Sequence, residues 1–261
     1  MCIVAHPDDE SFGMGGTLAK YASEGVETTI LMATRGERGR FGLAAESPGP
    51  EVVGATRTQE LLAAAALLGV SRVDFLNYMD AELDQAAPGE IIAAIARHIR
   101  QEKPQVVITF GPEGGYGHPD HIAISQFATA AIVRAADPTF ETSGAPPHSV
   151  LKLYYVAWPQ SKWTVFQSVF KKLISTVDGV QRVATPCPDW QITTRLDTTA
   201  HWPIAWEAIL CHKTQVAIYG NLEKLTPAQH RILWGQQEYY RVFSLVNGGR
   251  NPEIDLFEGI G

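Results

Sequence analysis

The chain reads as an α/β protein: a mostly parallel sheet with helices on both faces, followed by a less regular C-terminal extension. Three observations predict this. Short apolar runs alternate with segments of helical periodicity through the first 157 residues. The runs are apolar at nearly every position, as strands covered on both faces are. The composition is that of an ordinary globular chain, with 261 residues, 45% hydrophobic and 19% charged, which excludes a disordered or fibrous polypeptide.

Taken in order, residues 1–5 (MCIVA) form an apolar run fit for a buried strand, one already under way at Met1, so that a few upstream residues are expected to be missing. Residues 14–24 carry apolar side chains at helical spacing, and 28–34 (TTILMAT) read as strand. Residues 56–69 predict a helix that Thr56 caps and Gly69 stops. Strand follows at 72–76 (RVDFL), helix at 88–102 entered through Pro88, and strand at 105–110 (QVVITF). A helix over 119–136 is again entered through proline, and 150–157 (VLKLYYVA) reads as strand. The alternation is Rossmann-like. Residues 39–55 are rich in Gly and Pro and read as a mobile loop near the site. Beyond residue 158 the pattern weakens: 160–200 stay unplaced, and helices are expected over 203–219 and 226–238. One domain over 1–261 is expected, with 1–157 as its core and the remainder shaping a pocket.

Lys and Arg number 21 against 28 Asp and Glu, a net charge of −7. Nucleic-acid binding through a basic surface is therefore not expected. Cys2, Cys187 and Cys211 are odd in number and lack CxxC spacing, which points away from a disulfide framework or thiolate zinc site and toward a reducing compartment. The longest apolar run, Leu61 to Val70, falls short of the ~18 residues of a membrane span. With no signal-peptide pattern, a soluble cytoplasmic protein is expected; whether it forms a homo-oligomer is left open.

Ligand sites in parallel sheets lie at the carboxyl ends of strands. Two loops leaving such ends carry His and Asp beside Pro: Ala5-His6-Pro7-Asp8-Asp9-Glu10, and Gly114-Gly115-Tyr116-Gly117-His118-Pro119-Asp120-His121. A lone His at a strand end is commonly structural, and a lone Asp pair commonly caps a helix, here through Asp9 or Ser11. Two such clusters at matching topological positions favour a metal. Hydrolytic zinc takes three protein ligands and keeps a position for water; His6, Asp9 and His121 supply that set. Asp8 is then the general base, and His118 an acid or oxyanion donor. Asp120 is expected to hold His118 in one tautomer, and Tyr116 to donate to an oxyanion. Gly13-Met14-Gly15-Gly16 fails the dinucleotide fingerprint, because the third glycine position holds Leu18; close helix–strand packing is its expected role.

AHPDDE before a Gly-rich helix start, followed later by GHPDH, resembles the PIG-L/LmbE-like zinc-dependent N-acetylglucosaminyl deacetylases, and GGYGHPDH resembles their mycothiol-pathway branch. The likeness extends to Arg57-x-x-Glu60, to Asp80 after the third strand, and to His212-Lys213-Thr214-Gln215. It implies zinc on His6, Asp9 and His121, with Fe(II) suiting the same ligands, and a small N-acetylated sugar conjugate as substrate. It implies substrate contacts from Arg57 and Asp80. For Arg57 the alternative is an i,i+3 pair with Glu60. Arg35, at another strand end, is a further binding candidate. Gln215 and His212 border the pocket or pack beside it. Two rivals remain: an Fe(II) oxygenase using the same His-Asp-His set, and a catalytically silent sugar-binding module.

Overall fold

In the computed structural model, which describes residues 1–141, 144–169, 174–177 and 179–261, the N-terminal half builds five strands. They are β1 (Cys2–Val4), β2 (Thr29–Thr34), β3 (Arg72–Tyr78), β4 (Val106–Thr109) and β5 (Lys152–Ala157). Between them run helices α1 (Asp9–Ser23), α2 (Pro50–Leu67), α3 (Pro88–Glu102), the one-turn α4 (Gly114–Gly117) and α5 (Pro119–Ala136). The C-terminal half adds α6 (Gln160–Val169), the hairpin β6 (Ile174–Val177) and β7 (Val180–Val183), and β8 (Thr194–Asp197). It ends with α7 (Trp202–Cys211), α8 (Lys213–Val216), α9 (Pro227–Trp234) and β9 (Gln236–Ser244).

Seven strands form one sheet in the order β3-β2-β1-β4-β5-β9-β8. The pairs from β3 through to β5 are parallel; β9 is antiparallel to both β5 and β8. The order reverses between β1 and β4, and this switch point opens a crevice at the carboxyl ends of both strands. The two His-Asp loops leave those two ends. β1 shows why both faces are apolar: Cys2 and Val4 join a core with Met14 of α1, Leu61 of α2 and Ala208 of α7, whereas Ile3 and Ala5 join Ile95 of α3 and Ile124 of α5. A third cluster gathers Trp163 and Phe166 of α6, Ile209 of α7 and Trp234 of α9.

The expected strands and helices of the first half form, with two earlier starts: α1 begins at Asp9, five residues before Met14, and α2 starts at Pro50, six residues before Thr56. Pro50 supplies the preset φ of a first helical residue, so the loop expected at 39–55 shortens. In place of a helix over 203–219, α7 ends at His212, whose ψ of 58° leaves helical geometry, before the short α8 begins. The helix expected over 226–238 is α9, closed by a Thr226/Gln229 capping box at its start and ending at Gly235. The residues after it are β9, an internal strand of the main sheet; nothing local distinguishes them from a helix tail, because their partners β5 and β8 are remote in sequence. The Gly-rich start of α1 packs on strands, with the Gly13 carbonyl accepting from Gln237 Nε2 of β9 at 3.1 Å, and also on a helix. A Cβ on Gly15 would lie 3.2 Å from the Ala205 Cβ of α7.

A buried ionic knot fastens the chain's end to the sheet. Glu253 accepts from Lys152 Nζ (2.8 Å), Tyr154 Oη (2.8 Å), Thr194 Oγ1 (2.9 Å), Asn247 Nδ2 (2.8 Å) and Arg241 Nη1 (2.5 Å). Burial opposes its charge, but the hydrogen bonds from Lys152 and its other donors outweigh this and hold the carboxyl at about 2, against an ordinary 4.5. A depressed carboxyl stabilises the fold fully above pH ~4.5 and progressively less as pH falls toward about 2. Glu253→Gln is expected to cost ~3 kcal/mol at neutral pH, because Lys152 is left buried without its anion. It is also expected to flatten the dependence of unfolding free energy on pH between about 4.5 and 2. Urea titrations of both proteins across that range test this; equal slopes would refute it.

Candidate active site

The β1 loop turns into α1 through Asp8, whose φ of 120° and ψ of −27° lie in left-handed space. Such a conformation costs a non-glycine residue about 1–3 kcal/mol and collects at functional sites. Two buried groups hold it. The Asp8 amide donates to Glu10 Oε2 at 3.0 Å, and Arg57 donates to the Pro7 carbonyl and lies 3.3 Å from Asp8 Oδ2. Arg57 also donates to the Gly36 carbonyl at 3.0 Å. A Cβ on Gly36 would strike that guanidinium, and its φ of +66° independently favours glycine. Asp8 supplies no side-chain cap to α1, and neither Asp9 nor Ser11 is the N-cap.

Donor atoms of three residues, with Asp9 contributing both of its oxygens, converge beside Asp8. His6 Nδ1 lies 3.1 Å from His121 Nε2. Asp9 Oδ1 lies 3.3 Å from His121 Nε2, and Asp9 Oδ2 lies 3.8 Å from His6 Nδ1. Each donor is anchored from behind. Asp9 Oδ2 accepts from the amides of Ala5 (3.2 Å) and His6 (2.8 Å). The His121 ring stacks on Phe110 with centroids 4.1 Å apart. His6 Nε2 faces Asp120 Oδ2 and Asp80 Oδ1, both at 3.0 Å.

This corrects the expectation for Asp120. Its carboxylate sits on His6, not His118, and accepts from the amides of Ala81 (2.8 Å) and Leu83 (3.2 Å). His118 instead caps α5: its Nδ1 accepts the Asp120 amide at 3.2 Å, which leaves the ring proton on Nε2. Asp80 likewise serves His6, and its other oxygen accepts from the Arg38 amide at 3.0 Å.

Charge follows geometry. Burial resists a proton on His6, but the hydrogen bonds to Asp120 and Asp80 outweigh it and raise the imidazole to about 10. Burial and then the charge of His6 lower His118 to about 4, and the same causes hold His121 well below its ordinary value. Burial raises the Asp8 carboxyl, opposed chiefly by Arg57. Tyr116 is pushed up by burial and stays a neutral phenol able to donate.

Asp8, Asp9, Tyr116 and His121 line a cleft of about 1040 Å³; His118 and the four residues expected to bind substrate are not among its walls. Arg35 points elsewhere: it donates to Thr58 and Asn77 and lies over Phe75 at 4.0 Å. Gln215 Nε2 donates to the Arg40 carbonyl at 2.8 Å, and Arg57 does not pair with Glu60, whose carboxylate takes the Thr214 amide at 2.8 Å. Sequence reasoning missed Glu10. Its Oε1 accepts from His212 Nε2 at 2.7 Å and from Ser11 Oγ, so a fully buried pair braces the Asp8 turn. The signal was present, since a third acid in a row entering a buried helix needs a partner. It also missed the aromatic walls of the cleft, foreshadowed only by the aromatic density of 154–166 and 239–243.

The donor set fits a divalent cation. A tetrahedral ion with bonds of about 2.0–2.1 Å sets its ligands roughly 3.4 Å apart; the His6–His121 and His121–Asp9 Oδ1 separations lie close to that value, and Asp9 approaches His6 through its other oxygen, Oδ2, at 3.8 Å. His6 could alternatively group with His118 and His121, or with Asp80 and Asp120. The first choice would draw on His118, whose Nδ1 caps α5, and the second places both carboxylates on one ring nitrogen, as the outer partners of a ligating imidazole stand.

The fold and this rim together define a Rossmann-like α/β protein with a metal-competent His–Asp centre at the switch point of its sheet. The family model described as PIG-L, GlcNAc-PI de-N-acetylase, matches residues 1–132. The chain is 34% identical to the 1D-myo-inositol 2-acetamido-2-deoxy-alpha-D-glucopyranoside deacetylase of Kineococcus radiotolerans, over 98% of this chain and 81% of that protein. That alignment runs over 302 residues and takes in 98% of this chain's 261, about 256, so the relative carries about 46 residues in the matched span with no counterpart here. Among solved structures, the N,N'-diacetylchitobiose deacetylase of Pyrococcus horikoshii shares the fold with a TM-score of 0.69 and 22% identity, over 92% of this chain and 82% of that one. GalB, the 4-carboxy-2-hydroxymuconate hydratase of Pseudomonas putida, does so with a TM-score of 0.69 and 20% identity, over 95% and 98%; the fold alone therefore does not name the reaction. The chain belongs to the GlcNAc-PI de-N-acetylase (PIG-L) family, and is an amide hydrolase of the deacetylase type. Among the described residues, no helix is long and apolar enough to cross a membrane.

Proposed function

We propose that the chain removes the N-acetyl group from an N-acetylglucosamine-type sugar conjugate, using zinc held by His6, Asp9 and His121. The observation that carries this reading is the approach of those three donors to within 3.1–3.8 Å of one another beside Asp8, at the end of an open cleft. When bound, the ion would lower the pKa of a coordinated water from ~15.7 to about 7 and polarise the acyl oxygen; Fe(II) suits the same ligands.

The chain's own residues do the rest. Asp8 accepts a proton from the attacking water, and its raised carboxyl is tuned toward that exchange. Arg57 and the Glu10–His212 pair keep Asp8 in its strained turn. Tyr116, a neutral phenol in the cleft wall, donates to the oxygen that becomes negative as water adds to the acyl carbon. The C–N bond then breaks as Asp8 passes the proton it took from water to the departing amine, while neutral His118 keeps its Nε2 proton and offers it only as a hydrogen-bond donor. Acetate and a free amino sugar leave. Asp120 and Asp80 act on the chemistry only through His6. The two rival readings lose support here: the sheet is parallel rather than a jelly roll, and a silent binder has no use for a strained, braced base.

Acetate release from N-acetylglucosamine conjugates, the inositol glycoside among them, tests the proposal. Turnover is expected to vanish on chelation and to return with one equivalent of zinc or Fe(II). Chelator-resistant turnover would overturn the metal assignment, and amide cleavage absent across the conjugates would overturn the substrate class.

A further inference from the structure

Two sets of side chains lead away from His121 along the cleft, and they differ in chemistry. On one side the His121 ring stacks on Phe110, and beyond it the cleft is walled by β5 and β9. Rings and polar groups mix there. Tyr155 and Tyr240 pair across the strands with rings 6.4 Å apart, and Gln191, Thr193, Ser244, Asn247 and Arg250 line the same part. On the other side Tyr116 meets the His121 ring edge-on, with centroids 5.2 Å apart. Tyr116 packs into the third hydrophobic cluster with Phe12, Trp158, Trp163, Phe166 and Tyr219, and all six line the cleft. Trp158, Trp163 and Phe166 meet edge to face, 5.1–5.4 Å apart at 62–77°, and Phe12 meets Tyr219 in the same way at 6.1 Å. This aromatic lobe begins at the base itself, since the Phe12 amide donates to the Asp8 carbonyl at 3.0 Å. Burial and then the Asp8 carboxylate push Tyr219 up to about 12, so it stays a neutral phenol. Glu113, another carboxylate of the lining, folds back against Gly111 just beyond β4.

A scissile amide joins two groups, an acyl chain and an amino sugar, and the two sides of the cleft suit one each. The sugar and its conjugate bring hydroxyls, which need hydrogen-bonding partners once water is excluded; the β5–β9 side supplies them beside its tyrosine rings. The polar atoms that the six rings of the other lobe bring are two phenols and two indole N–H groups. Rings fixed edge to face offer rims and narrow gaps instead of one flat surface on which a sugar could stack, a shape that fits a slender hydrocarbon chain. Trp163 and Phe166, 4% and 3% exposed, form a firm back wall. A single acetyl methyl would touch only the mouth of this lobe. The whole cleft, about 1040 Å³, stands at the upper end of pockets for drug-sized ligands. Resting on the deacetylase reading above, we propose a further activity: the chain hydrolyses N-acyl groups longer than acetyl, with a medium-length linear acyl chain lodged among Phe12, Trp158, Trp163, Phe166 and Tyr219. The oxygen of water joins the acyl carbon, the C–N bond breaks, Asp8 carries a water proton to the nitrogen, and a medium-chain carboxylic acid and a free amino sugar leave.

The test uses the zinc-loaded full chain with the N-acetyl, N-butanoyl and N-hexanoyl forms of one methyl glucosaminide, followed by release of the free amine, and calorimetry with acetate and hexanoate as the bare acids. The hexanoyl compound is expected to reach a kcat/KM at least about tenfold above the acetyl one, since each buried methylene is worth about fourfold, with the gain in KM rather than kcat. Hexanoate is expected to bind at least about tenfold more tightly than acetate. Phe12→Ala and Trp158→Ala, both at half-buried positions, are each expected to bring the hexanoyl-to-acetyl ratio toward one in turnover and in binding. Cleavage of the acetyl compound with equal or poorer use of the longer chains, and no preference for hexanoate, would overturn the acyl assignment while leaving the deacetylase reading intact. Preferred binding of hexanoate with no amine released from any compound would sustain the lobe and overturn the deacetylase reading. Absence of both would overturn both. Should the two substitutions change discrimination between sugar conjugates of one acyl group and leave the hexanoyl-to-acetyl ratio untouched, the lobe holds the sugar and the proposal falls.

Discussion

Asp8→Asn is expected to release acetate about a thousandfold more slowly than the parent while binding metal at full stoichiometry. The magnitude is that of a lost general base, ~10²–10⁴. The substitution keeps the shape, and the amide that donates to Glu10 belongs to the backbone and is untouched. The carboxamide has no basic oxygen to take a proton from water, and it weakens the contact with Arg57, 3.3 Å away. Asp8 is not one of the three converging donors, so elemental analysis should still find one ion per chain. Turnover within a few-fold of the parent would remove Asp8 from the role of base; loss of the ion would make it a ligand.

His121→Ala is expected to do the reverse, losing the ion first and turnover as a consequence. Nε2 of His121 is the donor nearest both others, at 3.1 Å from His6 and 3.3 Å from Asp9. Its removal leaves two ligands where hydrolytic sites use three, and metal content after dialysis should fall to near zero, with activity at background. The outer groups should behave more gently. Asp120→Asn leaves His6 in place but weakens its orientation, which costs roughly 10–100-fold in metal affinity. Had Asp120 supported His118 instead, metal affinity would be unchanged and only kcat would fall. The comparison therefore separates a positioning role on His6 from one on His118. Retention of the ion by His121→Ala at parental affinity would dismiss the proposed ligand set.

Much of this was legible in the residues. The alternation of apolar runs with helical stretches names a parallel sheet, because only strands covered on both faces are apolar throughout. Once the sheet is parallel, chain order alone sends His6 and His118–His121 to one rim. What was not legible depended on partners distant in the chain. Asp120 follows His118 by two residues, and proximity suggested that they interact. In the folded protein the start of α5 turns the carboxylate toward His6, where the Ala81 and Leu83 amides fix it. Arg57 and Glu60 are one helical turn apart, yet each is taken by another part of the chain, Arg57 by the Pro7 and Gly36 carbonyls and Glu60 by Thr214. The first three residues of β9, 236–238, read as a helix tail for the same reason: the strand's hydrogen bonds go to β5 and β8, which no local pattern reports.

The order of the amino acids by itself determined the class of fold, the two motif loops and the family to which they belong, because those rest on periodicities and spacings confined to a few residues. Tertiary structure alone decided which carboxylate steadies which imidazole, how Asp8 is braced, and that the cleft at the reacting end is also lined by residues of β5 and β9. Each of those is a contact between segments some 40 to 200 residues apart, such as His6 with Asp80 and with Asp120, or Glu10 with His212. The energy of such contacts depends on distance in space and on exclusion of water, and neither is written in the spacing of residues along the chain.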